Sequence, residues 1–383
     1  MKIGLVSPYD FAVPSGVNKH VCQLADNYAR LGHEVRIIAP ASCRNGLDRD
    51  DLIVIGERPI GLPAGGSVAH VTLSLTLGPR VDRVLASEGF DVIHLHEPFV
   101  PLLPFQFLRR SQATNIATFH AAKDEGRRWY AYFRPAIAIW WKRIHGKIAV
   151  SPTAQRLISR YFPDRYEIIP NGVNYAQFAA PVAPFAEYKD GKLNILFLGR
   201  LEKRKGLPYL LEGYAQVKAK MPDTRLIIVG PDGGMRPGCE AFVRRTGLKD
   251  VVFAGYASDE DLPRYYQTAD VFCAPNTGNE SFGLILVEAM AAGTPVIASQ
   301  IEGFAYVVSH DVEGLLVPPR DSSALAEALL QLLNDPDRRQ EMGRNGQAKA
   351  QNFDWARISQ QVLSFYERVR QERGATPAGG GAP

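Results

Sequence analysis

Short runs of apolar, mostly β-branched residues alternate with amphipathic helical stretches along nearly the whole chain, and this alternation limits the fold more than any other feature. Five such runs occupy the first half, at residues 2–7, 34–40, 91–96, 115–120 and 147–151. Five more follow in the second half, at residues 194–199, 224–230, 251–255, 271–275 and 295–299. Several are apolar almost throughout, as strands buried on both faces of a parallel sheet are.

Two successive series of this kind contain more strands than one sheet usually accommodates. The chain of 383 residues is also long enough for two or three domains. The sequence therefore predicts an α/β fold with two Rossmann-like, doubly wound parallel-sheet domains that face each other across a cleft.

The predicted domain boundary lies at Pro170-Asn171-Gly172, before a polar, proline-containing stretch that ends at Lys192. It separates a domain over residues 1–172 from a second over residues 173–354. Three helical patterns close the chain, at residues 322–333, 337–352 and 355–373. The last is expected to pack back on the first domain, and the Gly/Ala/Pro-rich tail 374–383 is predicted to be disordered.

Composition excludes several classes of protein. Hydrophobic residues make up 46% and charged residues 22% of the chain, which is typical of a soluble globular protein. No apolar run is long enough to span a bilayer, and the amino terminus turns polar too early for a signal peptide, so a cytosolic protein is expected. The four cysteines form no C-x-x-C pair, which disfavours a zinc knuckle or a dithiol centre and predicts buried free thiols.

Two segments that follow predicted strands have the composition of anion-binding loops. There is no P-loop motif and no G-x-G-x-x-G after the first strand, which disfavours phosphoryl transfer and dinucleotide redox chemistry. Instead, Gly16 precedes a helix whose free N–H groups can hold a phosphate. The second segment, Gly199 to Gly206, carries Arg200 and Lys205 before another helix start, enough charge to neutralise a diphosphate.

The most specific motif is a pair of glutamates, Glu280 and Glu288. Glu280 begins the segment Glu-Ser-Phe-Gly, and Glu288 is followed shortly afterwards by Ala-Ala-Gly. Their spacing of about two helical turns predicts that both carboxylates lie on one side of a helix over residues 282–292. Carboxylates suit a sugar ring or a ribose, and the helix start suits an oxyanion.

These motifs together resemble those of glycosyltransferase family 4, which implies the GT-B fold. The resemblance extends over residues 1–370 and includes Pro14-Ser15-Gly16-Val17, His94-Leu95-His96-Glu97-Pro98, Thr118-Phe119-His120, Pro170-Asn171-Gly172-Val173 and the two segments just described. Within the family, the opening segment up to His20 is most similar to the phosphatidylinositol mannosyltransferase branch, which uses GDP-mannose.

The resemblance implies a role for each motif residue on the side of the sugar-nucleotide donor. Gly16 is expected to touch the diphosphate, Arg200 and Lys205 to neutralise it, and Glu288 to bind the ribose. Glu280 and the backbone of Phe282, Gly283 and Leu284 are expected to hold sugar hydroxyls and phosphate, and Asp259 to meet the base. His120, at the carboxyl end of its strand, is expected to face the transferred sugar. The predicted catalytic set is His120, Arg200, Lys205 and Glu280.

On the acceptor side, the resemblance implies that the first domain binds a phosphoinositide through Tyr9, Pro14, Ser15, His70 and Lys123. The predicted reaction transfers a hexose with retention at the anomeric carbon, and the leaving phosphate takes the acceptor proton. Residues 66–86 carry fewer cations than this branch has, and nothing in the sequence excludes uracil as the base. A UDP-sugar with a soluble or polyprenyl acceptor, a sugar-nucleotide epimerase and a non-catalytic nucleotide-binding subunit therefore remain alternatives.

Two patterns could suggest a metal. Asp48-Arg49-Asp50 has D-x-D spacing, but no phosphate-binding device is near it in the sequence. His94 and His96 share one face of a strand and precede Glu97, as zinc ligands could. The resemblance makes them structural or cleft-lining residues, and no catalytic metal and no tightly bound cofactor are expected.

Between Lys123 and Lys147, seven basic residues are mixed with six aromatic ones. Such mixing suits an anionic phospholipid surface and predicts peripheral attachment to the inner face of the cell membrane. Alternatively, Ile137, Ile139, Trp140 and Ile144 pack a helix against the sheet while the arginines are solvated. Nucleic acid is not an expected partner, because nucleic-acid-binding motifs are missing and the pI is only about 8.8.

Overall fold

The computed structural model describes residues 1–13, 15–43, 47–56, 60–64, 67–71, 77–100, 103–121 and 128–375. The chain divides into two compact units. Unit 1 consists of Met1–Asn171 together with the chain from Trp355 onward, and unit 2 consists of Gly172–Asp354.

The described residues of unit 1 form a seven-stranded parallel sheet with helices between its strands. The strands are β1 (Lys2–Val6), β2 (Glu34–Ala39), β3 (Leu52–Val54), β6 (Val92–His96), β7 (Thr114–Phe119), β8 (Gly146–Ala149) and β9 (Glu167–Ile168), and an antiparallel hairpin adds β4 (Ile60–Ala64) and β5 (Ser67–Val71). The helices are α1 (Gly16–Arg30), α2 (Gly78–Glu88), α3 (Leu103–Arg110), α4 (Arg128–Trp141), α5 (Pro152–Ser159) and the final helix α14 (Trp355–Ala375).

Unit 2, all of which the structure describes, has a six-stranded parallel sheet. Its strands are β10 (Leu193–Leu198), β11 (Thr224–Val229), β12 (Val251–Gly255), β13 (Val271–Ala274), β14 (Val296–Ser299) and β15 (Gly314–Val317). Its helices are α6 (Tyr175–Ala179), α7 (Leu207–Lys220), α8 (Arg236–Thr246), α9 (Leu262–Thr268), α10 (Leu284–Ala291), α11 (Glu302–Val307), α12 (Ser322–Leu333) and α13 (Pro336–Ala350).

Burial explains why these segments are strands and helices. Every residue of β6, β7 and β11 is buried, because helices cover both faces of a parallel sheet. Helix α1 is amphipathic and places Val21 and Leu24 in the same core as Trp355 and Ile358 of α14. The final helix thus completes the core of unit 1, although it follows unit 2 in the chain.

The predicted α/β class with parallel sheets is confirmed, and each of the ten predicted strands is present with bounds that differ by at most two residues. The sequence pattern missed β3, β4, β5, β9 and β15, which are between two and five residues long. Two of them, β3 and β9, have only three and two residues, which is too short for periodicity to separate a strand from a loop. Of the predicted disordered tail, residues 376–383 lie outside the described residues.

The cysteines correct one prediction. None of the four forms a disulfide, and Cys239 and Cys273 are buried, but Cys22 is only partly buried and Cys43 is exposed. Cys43 lies between Ser42 and Arg44 in a polar loop, and such a loop does not enclose a thiol as a core does. Among the described helices, none combines the length and apolar character that crossing a membrane requires.

Each sheet has a switch point, where the strand order reverses. The order in unit 1 is β3-β2-β1-β6-β7-β8-β9, and in unit 2 it is β12-β11-β10-β13-β14-β15. In each sheet, the strand that follows the switch strand in the chain lies on one side of it, and a later strand lies on the other: β2 and β6 flank β1, and β11 and β13 flank β10. Ligands of open α/β sheets bind at the carboxyl ends of the strands that flank such a point, which are β1 and β6 in unit 1 and β10 and β13 in unit 2.

Candidate active site

The loops after β10 and β13 are joined at the switch point of unit 2. The N–H of Thr277 donates to the carbonyl of Arg204 over 2.8 Å. Arg204 lies in a short 3₁₀ turn, Lys203–Lys205, that leads through Gly206 into α7. The basic segment predicted to bind a diphosphate therefore stands at the carboxyl edge of this sheet.

Three side chains converge on Oε2 of Glu280. Nζ of Lys205 lies 2.8 Å away, Nδ2 of Asn276 also 2.8 Å, and Nη1 of Arg204 3.0 Å. Burial alone would raise the pKa of Glu280, but Lys205 and Arg204 together bring it below its usual value, so the carboxylate is charged. Among the described residues none bonds Oε1, which leaves this oxygen available to a ligand hydroxyl.

The predicted placement of both glutamates on one side of a helix is wrong. Helix α10 begins only at Leu284, because Gly283 before it has φ +97°, outside the helical region. Glu280 precedes the helix, and only Glu288 lies on it. There Glu288 is 8% exposed, and its Oε2 accepts a hydrogen bond from the Tyr266 hydroxyl over 3.0 Å.

Arg200 differs from its basic neighbours in its exposure. Its side chain is 47% exposed, and its Nε lies 3.4 Å from the carboxylate of Glu202, which also pairs with Arg204 at 3.2 Å. A guanidinium so accessible can turn to an anion at little cost. Sequence reasoning did not single out Arg204, and the only available signal was its position in the run Lys203-Arg204-Lys205.

Two helix starts border this cluster. Neither α7 nor α10 has a side-chain N-cap, so no capping side chain satisfies the first-turn N–H groups. Gly206, before α7, has φ +73°, and a Cβ there would lie 1.9 Å from the Pro275 carbonyl oxygen. The Phe282 side chain is buried at 1% exposure. Of the three residues predicted to bind through the backbone, Phe282 can therefore offer a ligand only its main chain.

The predicted base-binding loop follows β12. Asp259 is exposed, and its carbonyl accepts a hydrogen bond from Nε2 of Gln177 over 2.8 Å. Tyr256, earlier in the same loop, is 72% exposed. An exposed aromatic ring and an exposed carboxylate in one loop are groups that could stack on a base and accept from its edge.

In unit 1, buried polar residues fix the loop between β1 and α1. Asn18 accepts from the Ser7 hydroxyl over 2.7 Å and donates to the Asp10 carbonyl over 2.8 Å. Ser15 caps α1, since its hydroxyl accepts from the Asn18 N–H over 3.1 Å. Gly16 follows at the exposed helix start, where an added Cβ would meet no atom within 4 Å. Nothing in the described protein therefore requires a glycine at this position.

The structure describes the predicted acceptor residues only in part. Tyr9 is partly buried and forms a β-bridge with Val71 of β5. His70 pairs with Gly61 in the hairpin. Pro14, Lys123 and the side chain of His70 lie outside the described residues, and the Ser15 hydroxyl is engaged in its cap.

Four histidines, three of them buried and His120 partly buried, form a group at the carboxyl ends of β6 and β7 and on α1, which we call the histidine cluster: His20, His94, His96 and His120. As predicted for one strand face, the rings of His94 and His96 are neighbours, with centroids 4.3 Å apart. His96 Nδ1 lies 2.9 Å from His120 Nε2, and His20 Nδ1 lies 3.0 Å from Oδ1 of Asn171. Burial, followed by the neighbouring histidines, lowers the pKa of each, that of His120 to about 3, so all four are neutral at pH 7.

Glu97 holds the loop that carries His120. The side chain is 2% exposed, and its Oε1 accepts from the backbone N–H groups of both His120 and Ala121 at 2.8 Å. Its own backbone has φ +48°, an uncommon conformation for a residue other than glycine. Glu97 therefore positions this loop. This role disfavours Glu97 as the carboxylate ligand of a zinc site with His94 and His96.

A different set of histidines could hold a metal ion. The ligand nitrogens of His20, His96 and His120 lie within 4.8 Å of one another. An ion there would have to replace the hydrogen bond between His96 and His120. In the D-x-D segment, Arg49 pairs with Asp26 and Asp51 at 2.7 and 2.8 Å, which favours an ordinary surface ion-pair network.

Helix α4 exposes one part of its surface and buries another. Ile137 and Trp141 are buried, with only 7% and 9% of their surface exposed. Tyr132, Phe133 and Ile139 are 81%, 51% and 69% exposed. Of the four residues that the packing alternative names, Ile137 and Ile144 are buried in the core of unit 1 and Trp140 packs against it, whereas Ile139 is exposed.

Two cations of the same stretch are structural rather than solvated. Arg143 donates to the carbonyls of Leu108 and Ser111, and Lys147 pairs with Asp164 at 3.1 Å. Arg134 and Lys142 remain exposed beside the apolar side chains of α4.

Comparison with known proteins identifies the family. Residues 184–349 match the family model for glycosyl transferases group 1, and residues 14–177 match the model for glycosyltransferase family 4. The phosphatidyl-myo-inositol mannosyltransferase of Mycobacterium leprae is 38% identical over 373 residues, which cover 96% of this chain and 97% of that protein. The protein of the same name from Mycobacterium tuberculosis is 37% identical over 374 residues, with 96% and 97% covered.

Solved structures agree on the fold. Sucrose-phosphate synthase from Thermosynechococcus elongatus superposes with a TM-score of 0.74 at 25% identity, over 97% of this chain and 99% of that one. Anabaena Alr3699/HepE, in complex with UDP, gives a TM-score of 0.78 at 21% identity, over 96% and 100%. The predicted resemblance is confirmed: the chain belongs to glycosyltransferase family 4, and its fold is GT-B.

Proposed function

We propose that the protein transfers mannose from GDP-mannose to phosphatidyl-myo-inositol or a closely similar lipid, with retention at the anomeric carbon, at the cytoplasmic face of the membrane. The observation that carries the proposal is the near full-length similarity to phosphatidyl-myo-inositol mannosyltransferases at 37–38% identity. The cluster around Glu280 supports it, since the cluster offers what a sugar diphosphate needs.

Cations and helix starts would favour departure of the nucleoside diphosphate. As the bond from the anomeric carbon to the diphosphate oxygen breaks, its electron pair stays on that oxygen. Arg200 and Lys205 would stabilise this growing charge, together with the first-turn N–H groups of α7 and α10, which have no side-chain cap. Stabilisation that is stronger in the transition state than in the ground state is what raises the rate.

The acceptor hydroxyl oxygen then bonds to the same carbon, on the face that the diphosphate leaves. Its proton passes to the departing phosphate, which needs no side chain as general base. The neutral histidines agree with this step, because the pKa of His120, about 3, makes it a weak base.

Glu280 and Glu288 divide the remaining donor contacts. Glu280 is charged, and among the described residues none bonds its Oε1. This oxygen can therefore accept hydrogen bonds from sugar hydroxyls. Glu288 is buried on α10 and would accept from the ribose. Asp259 would accept from the edge of guanine, the base of the proposed donor.

The exposed side of α4 supports a lipid acceptor. Tyr132, Phe133 and Ile139 present apolar surface to solvent, and Arg134 and Lys142 are exposed in the same helix and just beyond it. Aromatic and basic side chains together suit an anionic membrane surface.

An activity screen of the purified full chain tests the function. GDP-mannose, UDP-glucose and UDP-N-acetylglucosamine are each offered to phosphatidylinositol vesicles, free inositol phosphate and a polyprenyl phosphate. We expect product from GDP-mannose with phosphatidylinositol, with an α-mannoside in its NMR spectrum. Product from soluble acceptors alone would refute the lipid acceptor, product from UDP-sugars alone would refute the donor, and a β-mannoside would refute retention.

A further inference from the structure

A buried chain of hydrogen bonds fixes the proton on His94. The Tyr28 hydroxyl donates to the Tyr366 hydroxyl over 3.3 Å, and the Tyr366 oxygen lies 2.6 Å from Nδ1 of His94. Because Tyr366 already accepts from Tyr28, its own proton goes to His94 Nδ1. Neutral His94 must then carry its proton on Nε2, which donates to the Thr118 hydroxyl over 2.6 Å.

Hydrogen bonding also determines where the neighbouring histidine, His96, carries its proton. Its Nδ1 bonds Nε2 of His120 at 2.9 Å. Its Nε2 is buried and has no hydrogen-bond partner among the described residues. A buried N–H without an acceptor costs more than a buried lone pair without a donor, so the proton of His96 belongs on Nδ1.

This assignment determines the state of His120. If His96 donates through Nδ1, Nε2 of His120 must be the acceptor, and the proton of neutral His120 is then on Nδ1. Among the described residues none bonds this Nδ1, and the ring is only partly buried. The backbone N–H groups of His120 and Ala121 donate to Oε1 of Glu97, and these two hydrogen bonds hold the loop in this position.

We propose that His96 is a positioning residue that fixes His120 as its Nδ1–H tautomer, so that His120 presents an N–H donor to the transferred sugar and not a base. This rests on the proposed function, because it assumes that a sugar lies at His120. A donor here would orient a ring hydroxyl or a ring oxygen of the sugar, while the lone pair that could remove a proton is occupied by His96.

The first test needs no enzymatic activity. Long-range ¹H–¹⁵N spectra of the full chain, with ring-¹⁵N histidine, distinguish a protonated from an unprotonated nitrogen in each ring. Signals of His96 and His120 are assigned by substituting each in turn. We expect both as Nδ1–H tautomers at pH 7, and a His120 found as the Nε2–H tautomer would overturn the proposal.

Two substitutions of His96 then separate positioning from packing. In His96→Asn, the amide N–H takes the place of Nδ1–H and should keep His120 in its tautomer and kcat within about threefold of the original value. In His96→Phe, the ring volume remains but the donor is lost, so His120 should shift towards the Nε2–H form and kcat should fall by about tenfold or more, with little change in KM for the donor. His33→Asn, in unit 1 but outside the cluster, is the matched control.

The outcomes separate the inference from the proposed function. If His96→Asn loses as much kcat as His96→Phe while both remain folded by thermal denaturation, the positioning role is refuted. If the unaltered protein transfers no sugar, the proposed function fails, and the tautomer spectra still decide the assignment of His120.

Discussion

Replacing Lys205 by alanine separates the contribution of this lysine to folding from its contribution to turnover. Its Nζ lies 2.8 Å from Glu280, and the side chains are 11% and 19% exposed. Removing one partner of a buried ion pair costs about 3–5 kcal/mol when the other charge is left alone. Here Glu280 keeps Arg204 at 3.0 Å and Asn276 at 2.8 Å. We therefore expect the free energy of unfolding to fall by only about 1–2 kcal/mol.

Turnover should fall much further. If Lys205 stabilises the leaving diphosphate, its loss resembles the removal of one oxyanion donor, which costs about 10²–10³ in kcat, or about 2.7–4 kcal/mol. The assay is release of nucleoside diphosphate under saturating donor and acceptor, beside urea unfolding of the same preparation.

Lys218→Ala is a matched control for Lys205→Ala. Lys218 pairs with Asp250, which retains Lys192 after the change, so this variant also removes one cation from a carboxylate that keeps another. It should lose comparable stability and little turnover. A Lys205→Ala enzyme within about tenfold of the original kcat, or an equal loss in Lys218→Ala, would refute the assigned role.

Three further predictions concern other parts of the molecule. Gly16→Ala should leave the free energy of unfolding unchanged, because the added Cβ meets no atom within 4 Å, but it should weaken donor binding. Gly206→Ala should instead lower the free energy of unfolding by about 1–3 kcal/mol, because its Cβ would lie 1.9 Å from a carbonyl oxygen. Thermal melting and donor titration compare the two variants, and normal donor affinity in Gly16→Ala would contradict the diphosphate contact. Folding lowers the pKa values of the histidine cluster, so below about pH 6.5 the unfolded chain binds protons that the folded chain does not. The free energy of unfolding should therefore fall on acidification by up to about 1.4 kcal/mol per pH unit for each histidine. Urea unfolding at several pH values measures this dependence, and a free energy of unfolding that rises on acidification would refute the prediction. Replacing Tyr132 and Phe133 by serine should reduce sedimentation with anionic vesicles without destabilising the fold, since both are exposed; if the unaltered protein sediments equally with neutral and anionic vesicles, α4 is not an anionic-membrane contact.

Local pattern was enough to predict most of the fold. Buried parallel strands are continuous apolar runs, and β1, β6 and β11 stand out in the sequence for that reason. Strand β9, with two residues at the sheet edge, offers no such run and was missed. The strand order, and with it the switch points, depends on which strands pair, and pairing leaves no local signal.

The candidate site shows the same division. The identities of Arg200, Lys205 and Glu280 were predicted from motifs, because a diphosphate and a sugar require charges of those kinds. Their geometry was not predicted: a helix was extended across Gly283, so Glu280 was placed on it, and the contact between Arg204 and Glu280 was overlooked. These two residues are 76 positions apart and meet only because β10 and β13 are neighbours in the sheet.

The sequence by itself determined the class of fold, the family and the chemical types of the site residues, since periodicity and motif composition are local properties of the chain. Only the tertiary structure decided which of those groups bond to one another. Tyr366 and His94 are 272 residues apart, and their hydrogen bond exists because α14 returns to complete the core of unit 1. Proton positions in the histidine cluster follow from such bonds, because a buried imidazole places its proton according to the donors and acceptors that packing brings to it.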